Sequence, residues 1–417
     1  MKLLHTSDWH LGRTLHGRRR YEEFAAFLDW LAATMNEQGT EILVVAGDIF
    51  DTTAPSNRAQ QLYYRFLCQV AASPCRHVVI VAGNHDSPSF LNAPRELLRA
   101  LDVHVVGSSA EDPADEVLVL RDAQGEPELI VCAVPYLRDR DIRQVEAGES
   151  IADKERKLLE GIRDHYAAVA DTASRQRKAL NVDIPIVATG HLFTAGGQTL
   201  KDDGVRDLYV GSLAHVTGAV FSPVFDYVAL GHLHIPQKVN GSEIIRYSGS
   251  PLPMGFGEAR QQKSLCQVTF DRADGKRSTR VELLDIPVFQ QLERISGDWE
   301  TIAARLAELV ASDSRAWLEV VYQGEEIITD LRERLDNAIA GTGMDILRVK
   351  NSRIIDRVLD RMDEQETLDD LDVTDVFERC LTQHDVTEEQ RPALMDAYRE
   401  ILRLLHDEDP RAQGGER

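Results

Sequence analysis

Five short apolar runs in the first 232 residues each end in a polar side chain that can bind a metal ion. They are MKLLHTSD (1–8), EILVVAGD (41–48), HVVIVAGN (77–84), IPIVATGH (184–191) and FDYVALGH (225–232). Each run is typical of a buried β-strand. Residues at the carboxyl ends of such strands point into the crevice where open α/β sheets bind ligands. The pattern therefore predicts an α/β fold that brings distant turns together at one edge.

The side chains at these strand ends are carboxylates, an amide and imidazoles. They are Asp8, His10, Asp48, Asn84, His191, His232 and His234. A single GD or GH after a strand is more often a tight turn, in which glycine permits the bend and the polar side chain bonds the backbone. Five such turns on one sheet are hard to assign to chance, and they favour a metal centre.

The types of ligand restrict the metal. Mixed nitrogen and oxygen ligands suit Mn²⁺, Fe²⁺ or Zn²⁺ better than an all-oxygen Mg²⁺ or Ca²⁺ site. Seven ligands are more than one such ion requires, so we expect two divalent ions. Ions held about 3.5–4 Å apart need a bridging carboxylate, and Asp48 is the candidate. Such a pair can activate a water and hold the oxygens of an in-line displacement at phosphorus.

Helical patterns alternate with strands in the first part of the chain. Residues 21–38 and 152–176 carry apolar side chains at helical spacing, which predicts amphipathic helices packed on the sheet. Region 1–275 is therefore expected to form one α/β domain. In 276–356 the order strand, helix, strand, helix, strand predicts a small βαβαβ domain. Residues 357–417 predict a linker followed by two helices.

The composition limits the class of protein. The chain has 417 residues, enough for two or three domains, and no apolar run approaches the about 20 residues that span a bilayer. Asp8 and His10 interrupt the apolar start, so we expect no signal peptide. The five cysteines are scattered and odd in number, which indicates reduced thiols in a cytoplasmic protein without a membrane segment.

The chain is acidic, but its charge is uneven. A net charge of −22 argues on its face against nucleic acid as a partner. Four arginines nevertheless follow directly after the first candidate ligands: Arg13, Arg18, Arg19 and Arg20. They can belong to a solvated loop, or they can contact the phosphates of DNA beside the site. We take them as candidate DNA-binding residues.

Several blocks of the sequence resemble the calcineurin-type binuclear metallophosphoesterases. They are D-x-H (8–10), GD (47–48), GNHD (83–86), GH (190–191) and GHLH (231–234), in this order. Longer blocks such as HTSDWHLG, VAGDIFDT and RYSGSP are most similar to the nuclease subunits of bacterial complexes that process double-strand breaks. The resemblance covers nearly the whole chain. It implies a two-sheet α/β metallophosphoesterase core, a small βαβαβ capping domain and C-terminal helices.

The resemblance also implies roles for individual residues. It implies two manganese sites, the first formed by Asp8, His10, Asp48 and His234 and the second by Asp48, Asn84, His191 and His232. His85 would be catalytic: above the scissile phosphate, it would steady the transition state or protonate the leaving oxygen. One position departs from the pattern. Archaeal and eukaryotic relatives carry a histidine three residues after the bridging aspartate, where this chain has Asp51.

Three functions stay open. The first is a manganese-dependent DNA nuclease that cuts ends, hairpins and single strands in repair and recombination. The second is a phosphatase or cyclic-nucleotide phosphodiesterase on the same metal core, because a fold does not fix a substrate. The third is a non-catalytic scaffold for DNA ends. The arginines, the βαβαβ domain and GNHD in place of the GNHE of phosphatases favour the nuclease, and the complete ligand set disfavours the scaffold.

The resemblance implies two protein partners. The chain has no GxxxxGK[ST] loop, so ATP use would come from a separate SMC-like ATPase in a complex of two plus two chains. The helices expected at 374–384 and 387–409 look suited to bind it. The family pattern also pairs helices near 56–71 and 89–102 of two copies as a homodimer. For both interfaces the alternative is that the apolar stripe packs within its own chain.

Overall fold

The computed structural model describes residues 1–142, 150–194, 217–273, 276–324, 326, 328–351, 377, 381, 391, 394, 395 and 398. These residues belong to two compact units. The first contains Met1–Arg294, Asp313–Glu319 and Thr342–Arg348. The second contains Ile295–Ser312, Val320–Gly341 and the described residues from Val349 onward.

The described part of the chain contains seventeen β-strands. In chain order they are β1 Lys2–Thr6, β2 Thr14–Leu15, β3 Arg18–Arg19, β4 Ile42–Ala46, β5 His77–Val81, β6 Val103–Val106, β7 Val117–Arg121, β8 Pro127–Cys132, β9 Ile186–His191, β10 Tyr227–Gly231, β11 Gln237–Lys238, β12 Ile245–Tyr247, β13 Ser264–Ala273, β14 Lys276–Asp285, β15 Leu292–Gly297, β16 Trp317–Tyr322 and β17 Asp345–Asn351.

The same part of the chain contains eight α-helices. They are α1 Tyr21–Gln38, α2 Asn57–Ala71, α3 Pro88–Asn92, α4 Arg95–Arg99, α5 Asp139–Ile142, α6 Ile151–Leu180, α7 Trp299–Ala311 and α8 Leu331–Ala338. Local chemistry sets several of the ends. Helix α1 ends at Gly39 in the left-handed conformation, which glycine adopts without steric cost. Helix α6 begins with a capping box formed by Ser150 and Asp153.

Two six-stranded sheets form the core of the first unit. Their strand orders are β14-β13-β1-β4-β5-β6 and β11-β12-β10-β9-β8-β7. The inner faces pack on each other through residues such as Val44, Val79, Val131 and Ala229. The outer face of the first sheet packs against α1 and α2, and that of the second packs against α6. Strands buried on both faces explain the continuous apolar runs of the sequence.

The predicted α/β fold with a two-sheet core is confirmed. The five strands that carry candidate ligands do not share one sheet, however. Strands β1, β4 and β5 lie in the first sheet, and β9 and β10 lie in the second. Apolar periodicity identifies a strand but does not specify its neighbours, since strand pairing is decided by contacts distant in sequence.

Two expectations need correction. The helix expected at 89–102 is two short helices, α3 and α4, because Pro94 separates them. The boundary expected at residue 275 falls inside a β-hairpin. Strands β13 and β14 pair along their whole length, and β13 pairs with β1, so the hairpin belongs to the first sheet. The first unit therefore extends to Arg294.

A third sheet contains three strands in the order β15-β16-β17, and α7 and α8 lie between them in sequence. This is the predicted βαβαβ order. The helices expected at 374–384 and 387–409 lie almost wholly outside the described residues. No described helix has the length and apolar character needed to cross a membrane.

Candidate metal centre

The structure brings the seven predicted ligand residues together in the first unit. They follow or end the strands β1, β4, β5, β9 and β10, at the carboxyl ends where the two sheets meet. Six of the seven are buried, and Asn84 is half-buried. Parallel strands present their carboxyl ends at the same edge, and this explains how turns more than 180 residues apart in sequence converge.

In the turn after β1, neighbouring side chains have different surroundings. Trp9 is buried in the core beneath the sheet, where its ring meets Phe27 and Phe66 edge to face. Asp8 and His10, on either side of Trp9, instead place ligand atoms in one candidate group with His234. Both have positive φ, at 54° and 48°, a conformation that costs free energy in residues other than glycine. Backbone strain of this kind is tolerated where surrounding contacts hold the chain in place.

Asp48 lies at the middle of the cluster. Its Oδ2 is 3.6 Å from Nε2 of His10 and 3.4 Å from Nε2 of His191. His10 belongs to one candidate group, with Asp8 and His234, and His191 belongs to another, with Asp8 and Asp48. A single carboxylate oxygen thus faces both halves of the centre, which is the geometry that a bridging ligand requires.

Backbone amides hold the carboxylates. The backbone N–H of His85 donates to Oδ1 of Asp48 over 2.9 Å, and that of His232 donates to Oδ1 of Asp8 over 2.9 Å. The glycine of GNHD is needed for the first contact, because a Cβ at Gly83 would collide with the Asp48 carboxylate. These bonds fix the carboxylates before any ligand arrives, so the site is preorganised.

The imidazoles are oriented to bind a cation. Nδ1–H of His191 donates to the carbonyl of Ala46 over 3.0 Å, which leaves Nε2 facing Oδ1 of Asn84 at 3.0 Å. Nε2 of His232 is buried and has no hydrogen-bond partner among the described residues. The unpaired buried nitrogen of His232 carries a desolvation cost that a bound cation would remove. The residues therefore fit divalent metal ions.

The electrostatics of the centre lead to the same conclusion. Burial lowers the pKa of His10 to about 4, so this imidazole is neutral at neutral pH, the form that binds metals. Burial alone would also lower the pKa of His191, but the charge of Asp48 raises it to about 9. A proton on His191 then occupies the position that a cation would take, and metal binding would release it.

His85 lies beside the cluster and is held by a backbone carbonyl. Its Nδ1–H donates to the carbonyl of Asp51 over 2.7 Å. Its Nε2 lies 4.0 Å from Oδ2 of Asp48. The ring is therefore held with one nitrogen towards the centre. A grouping of His85 with His10 and Asp51 could also hold a cation.

Sequence reasoning missed three supporting acids. The Asp86 carboxylate accepts the backbone N–H groups of Ile49, Phe50 and Gly83, and so ties the turn after β4 to the turn after β5. Burial, together with the charge of Asp48, raises the pKa of Asp86 to about 7. Its place directly after Asn84 and His85 in the GNHD block was the signal that could have revealed it.

The other two supporting acids lie behind the histidines of the first half. Oδ1 of Asp51 is 3.4 Å from Nδ1 of His10. Oε1 of Glu258 is 3.8 Å from Nδ1 of His234, and its other oxygen pairs with buried Lys263. A carboxylate behind a ligating imidazole fixes the ring and strengthens the ligand. Glu258 has no nearby motif, so only the tertiary structure reveals it.

The four arginines have different environments. Arg18 and Arg19 are exposed, and Arg13 is half-buried with its guanidinium 3.3 Å from Asp51. Arg20 is 2% exposed and forms a two-pronged ion pair with Glu23. A contact between Arg20 and DNA would require its buried guanidinium to leave Glu23.

Comparison with known proteins agrees with this geometry. Residues 1–236 match the family model described as calcineurin-like phosphoesterase, and residues 288–385 match SbcD_C, described as the type 5 capsule protein repressor C-terminal domain. The chain is 37% identical to the SbcD subunit of nuclease SbcCD from Escherichia coli (strain K12), over 98% of this chain and 99% of the relative.

Two further relatives are the SbcD subunits of other bacteria. The Rhodobacter capsulatus protein is 33% identical over 85% of this chain and 89% of its own length. The Bacillus subtilis protein is 35% identical over 68% of this chain and 69% of its own length. The family-model matches extend across both units. The chain therefore belongs to the SbcD family of calcineurin-like phosphoesterases.

Proposed function

We propose that this chain is a manganese-dependent DNA nuclease that hydrolyses phosphodiester bonds with two metal ions. The observation that carries the proposal is the position of Asp48, whose Oδ2 faces His10 and His191 from the two halves of the centre. The first ion would be held by Asp8, His10, Asp48 and His234. The second would be held by Asp48, Asn84, His191 and His232. The mixed nitrogen and oxygen donors suit Mn²⁺.

In phosphodiester hydrolysis, the metal ions and the side chains would have different roles. When bound, the ions would supply a nucleophilic water and positive charge for the phosphate oxygens. His85 faces the same space with Nε2, because its Nδ1–H is held by the carbonyl of Asp51. From there the imidazole can steady the charge of the transition state or pass a proton to the leaving oxygen. Asp51 and Glu258 act by positioning His10 and His234.

A groove in the first unit supports DNA as the substrate. It has a volume of about 980 Å³, and its walls include Arg18, Arg19 and Arg58. Arg18 lies over the ring of Trp317, and Arg58 lies over the ring of Tyr21. Exposed guanidiniums contact phosphates, and the half-buried ring of Tyr21 can support an unpaired base. The acidic net charge of the chain is thus reversed locally.

The test compares substrates in the presence of Mn²⁺. The full chain is incubated with linear duplex DNA, hairpin DNA, a cyclic nucleotide and a small phosphomonoester. We expect cleavage of the DNA substrates at rates far above the hydrolysis of the other two, and none after chelation. Preferred hydrolysis of the phosphomonoester or the cyclic nucleotide would contradict the proposal and favour the phosphatase or cyclic-nucleotide phosphodiesterase function.

We also propose that the chain works with a SbcC-type SMC-like ATPase, in a complex of two copies of each, in DNA repair, recombination and replication. The name shared by the relatives describes them as one subunit of an SbcCD nuclease. The helix expected at 387–409 carries an apolar stripe at helical spacing: Leu394, Tyr398, Ile401, Leu402 and Leu405. Leu394 is 41% exposed, whereas Tyr398 stacks on Phe377. The last three stripe residues lie outside the described residues.

Truncation of the C-terminal region tests the interaction with the ATPase. Removing residues from Glu364 onward should leave metal-dependent nuclease activity and abolish capture of the ATPase in a pull-down. If the truncated chain captured the ATPase as well as the full chain, the interface would lie elsewhere. The compartment we propose is the cytoplasm, since the described cysteines, Cys68, Cys75, Cys132 and Cys266, are free thiols.

We propose a homodimer through the surface around α4. In α2, the apolar side chains Tyr63, Phe66, Leu67 and Val70 are buried in the core of the first unit, so they cannot contact a second copy. Leu97 and Leu101, in contrast, are 72% and 42% exposed. Large apolar side chains exposed together mark association surfaces.

The variant Leu97→Asp with Leu101→Asp tests the dimer by light scattering. We expect a mass of two chains before mutation and of one chain after it, with bound metal unchanged. Val288→Asp is the matched control, because Val288 is 71% exposed but distant in sequence from α4. A mass of one chain for the unmutated protein at micromolar concentration would contradict the dimer.

A further inference from the structure

Three metal-capable side chains lie at the amino-terminal ends of β5 and β6, roughly 20 Å along the strands from the catalytic centre. They are His77, Asp102 and His104, and one ligand atom from each lies within 4.8 Å of the others. His104 is in register with Val79, two residues beyond His77 on the same face. Val79 belongs to the core between the sheets, so both imidazoles point inwards.

His77 already has the orientation of a metal ligand. Its Nε2 is 2.7 Å from the carbonyl oxygen of Arg121 in the second sheet. Because a carbonyl can only accept, Nε2 carries the hydrogen and Nδ1 keeps a free electron pair. Nδ1 is buried and meets no hydrogen-bond donor in the part of the chain that the structure covers. A ligating histidine typically donates its other N–H to a backbone carbonyl in this way.

His104 completes the pair. Its Nε2 is also buried and has no hydrogen-bond partner within the described ranges. The two imidazole rings lie 5.7 Å apart, tilted by 42°. Two buried nitrogens without partners carry a desolvation cost that a shared cation removes. Asp102 is exposed and lies in the turn before β6, where its carboxylate can close on a cation from the solvent side.

We propose that His77, Asp102 and His104 form a separate zinc site. Two nitrogens, one carboxylate oxygen and a water would complete the tetrahedral coordination that Zn²⁺ prefers. Ligands about 2.0–2.1 Å from zinc lie about 3.3 Å from one another. The three ligand atoms lie within 4.8 Å of one another, so side-chain rotation has to close the difference. Bound zinc would join β6, the edge strand of the first sheet, to β5 and, through His77, to the second sheet.

The experiment counts zinc in the full chain after equilibration with Zn²⁺ and removal of the excess. We expect one ion fewer per chain in Asp102→Asn and in His104→Ala than in the unmutated protein. Asp102 has a φ of +55°, a conformation that asparagine adopts readily, so Asp102→Asn should fold normally. Asp313→Asn is the matched control, since Asp313 is exposed with a φ of +50° outside the cluster.

Thermal unfolding gives a second readout. Zn²⁺ should raise the Tm of the unmutated chain more than that of either variant, because a ligand that binds the folded state stabilises it. The same differences should appear in an Asp48→Ala background, which separates this site from the catalytic centre.

Equal zinc counts and equal zinc-dependent rises in Tm for all chains would overturn the proposal. If Asp102→Asn or His104→Ala lost DNA cleavage together with the zinc ion, the proposed site would not be separate from the catalytic centre. Unchanged cleavage and an unchanged mass in light scattering, with one ion lost, would support it.

Discussion

The metal centre and the arginine groove of the first unit use charge in opposite ways. In the centre, buried carboxylates and imidazoles are fixed by backbone amides and by one another. In the groove, Arg18 and Arg19 are exposed, and the acid that pairs with Arg18, Asp345, is 43% exposed. Electrostatic interactions are strong where water is excluded and weak where it is present. The comparison therefore predicts that substitutions in the centre lower DNA cleavage strongly. Substitutions in the groove should weaken DNA binding slightly and in a salt-dependent way.

The largest effect is expected for Asp48→Ala. Its carboxylate faces both halves of the centre, so its loss should empty or scramble both metal positions. We expect DNA cleavage to fall by more than about 10⁴-fold, beyond the usual contribution of one acid–base group. Bound metal is counted in parallel, and circular dichroism checks folding. Cleavage close to that of the unmutated chain would show that two ions are not required.

His85→Ala should separate catalysis from metal binding. His85 touches the centre through Nε2 but lies outside the two proposed ligand sets. Its loss should lower the cleavage rate by roughly 10²–10⁴-fold while the metal content stays the same. If metal were lost as well, the grouping of His85 with His10 and Asp51 would be a third ligand set, and the proposed role of His85 would have to change.

Asp51→Asn tests the support behind a ligand. Its carboxylate lies 3.4 Å from Nδ1 of His10, and loss of such a partner typically lowers metal affinity or activity by about 10–100-fold. Manganese titration with cleavage as the readout measures the shift. Asp29→Asn is a suitable control, because Asp29 forms an exposed ion pair with Arg65 away from the centre. Equal titrations of both variants would show that the Asp51 carboxylate does not support His10 as a ligand.

The smallest effect is expected for Arg18→Ala with Arg19→Ala. DNA binding should weaken without loss of metal, and the slope of log affinity against log salt should fall by about 0.9 for each lost phosphate contact. Arg163→Ala provides a control, since this exposed arginine on α6 pairs with its neighbour Asp164. An unchanged slope would mean that DNA does not occupy the groove.

The sequence alone determined the fold class and predicted the seven residues that converge at the candidate metal centre. Buried parallel strands are read from continuous apolar runs, and polar residues directly after them must emerge at the carboxyl edge. That rule places Asp8, Asp48, Asn84, His191 and His232 without knowledge of the pairing. It also placed helix α1 at Tyr21–Gln38, where the apolar period is regular and a glycine ends the helix.

The tertiary structure decided what depends on contacts between distant parts of the chain. It divided the ligand strands between two sheets, placed Glu258 and Lys263 behind His234, and buried Arg20 against Glu23. It also brought His77 and His104 together at the other end of the first sheet. Local patterns record which face of an element is apolar, whereas partners are chosen by packing, and packing is settled only when the whole core forms.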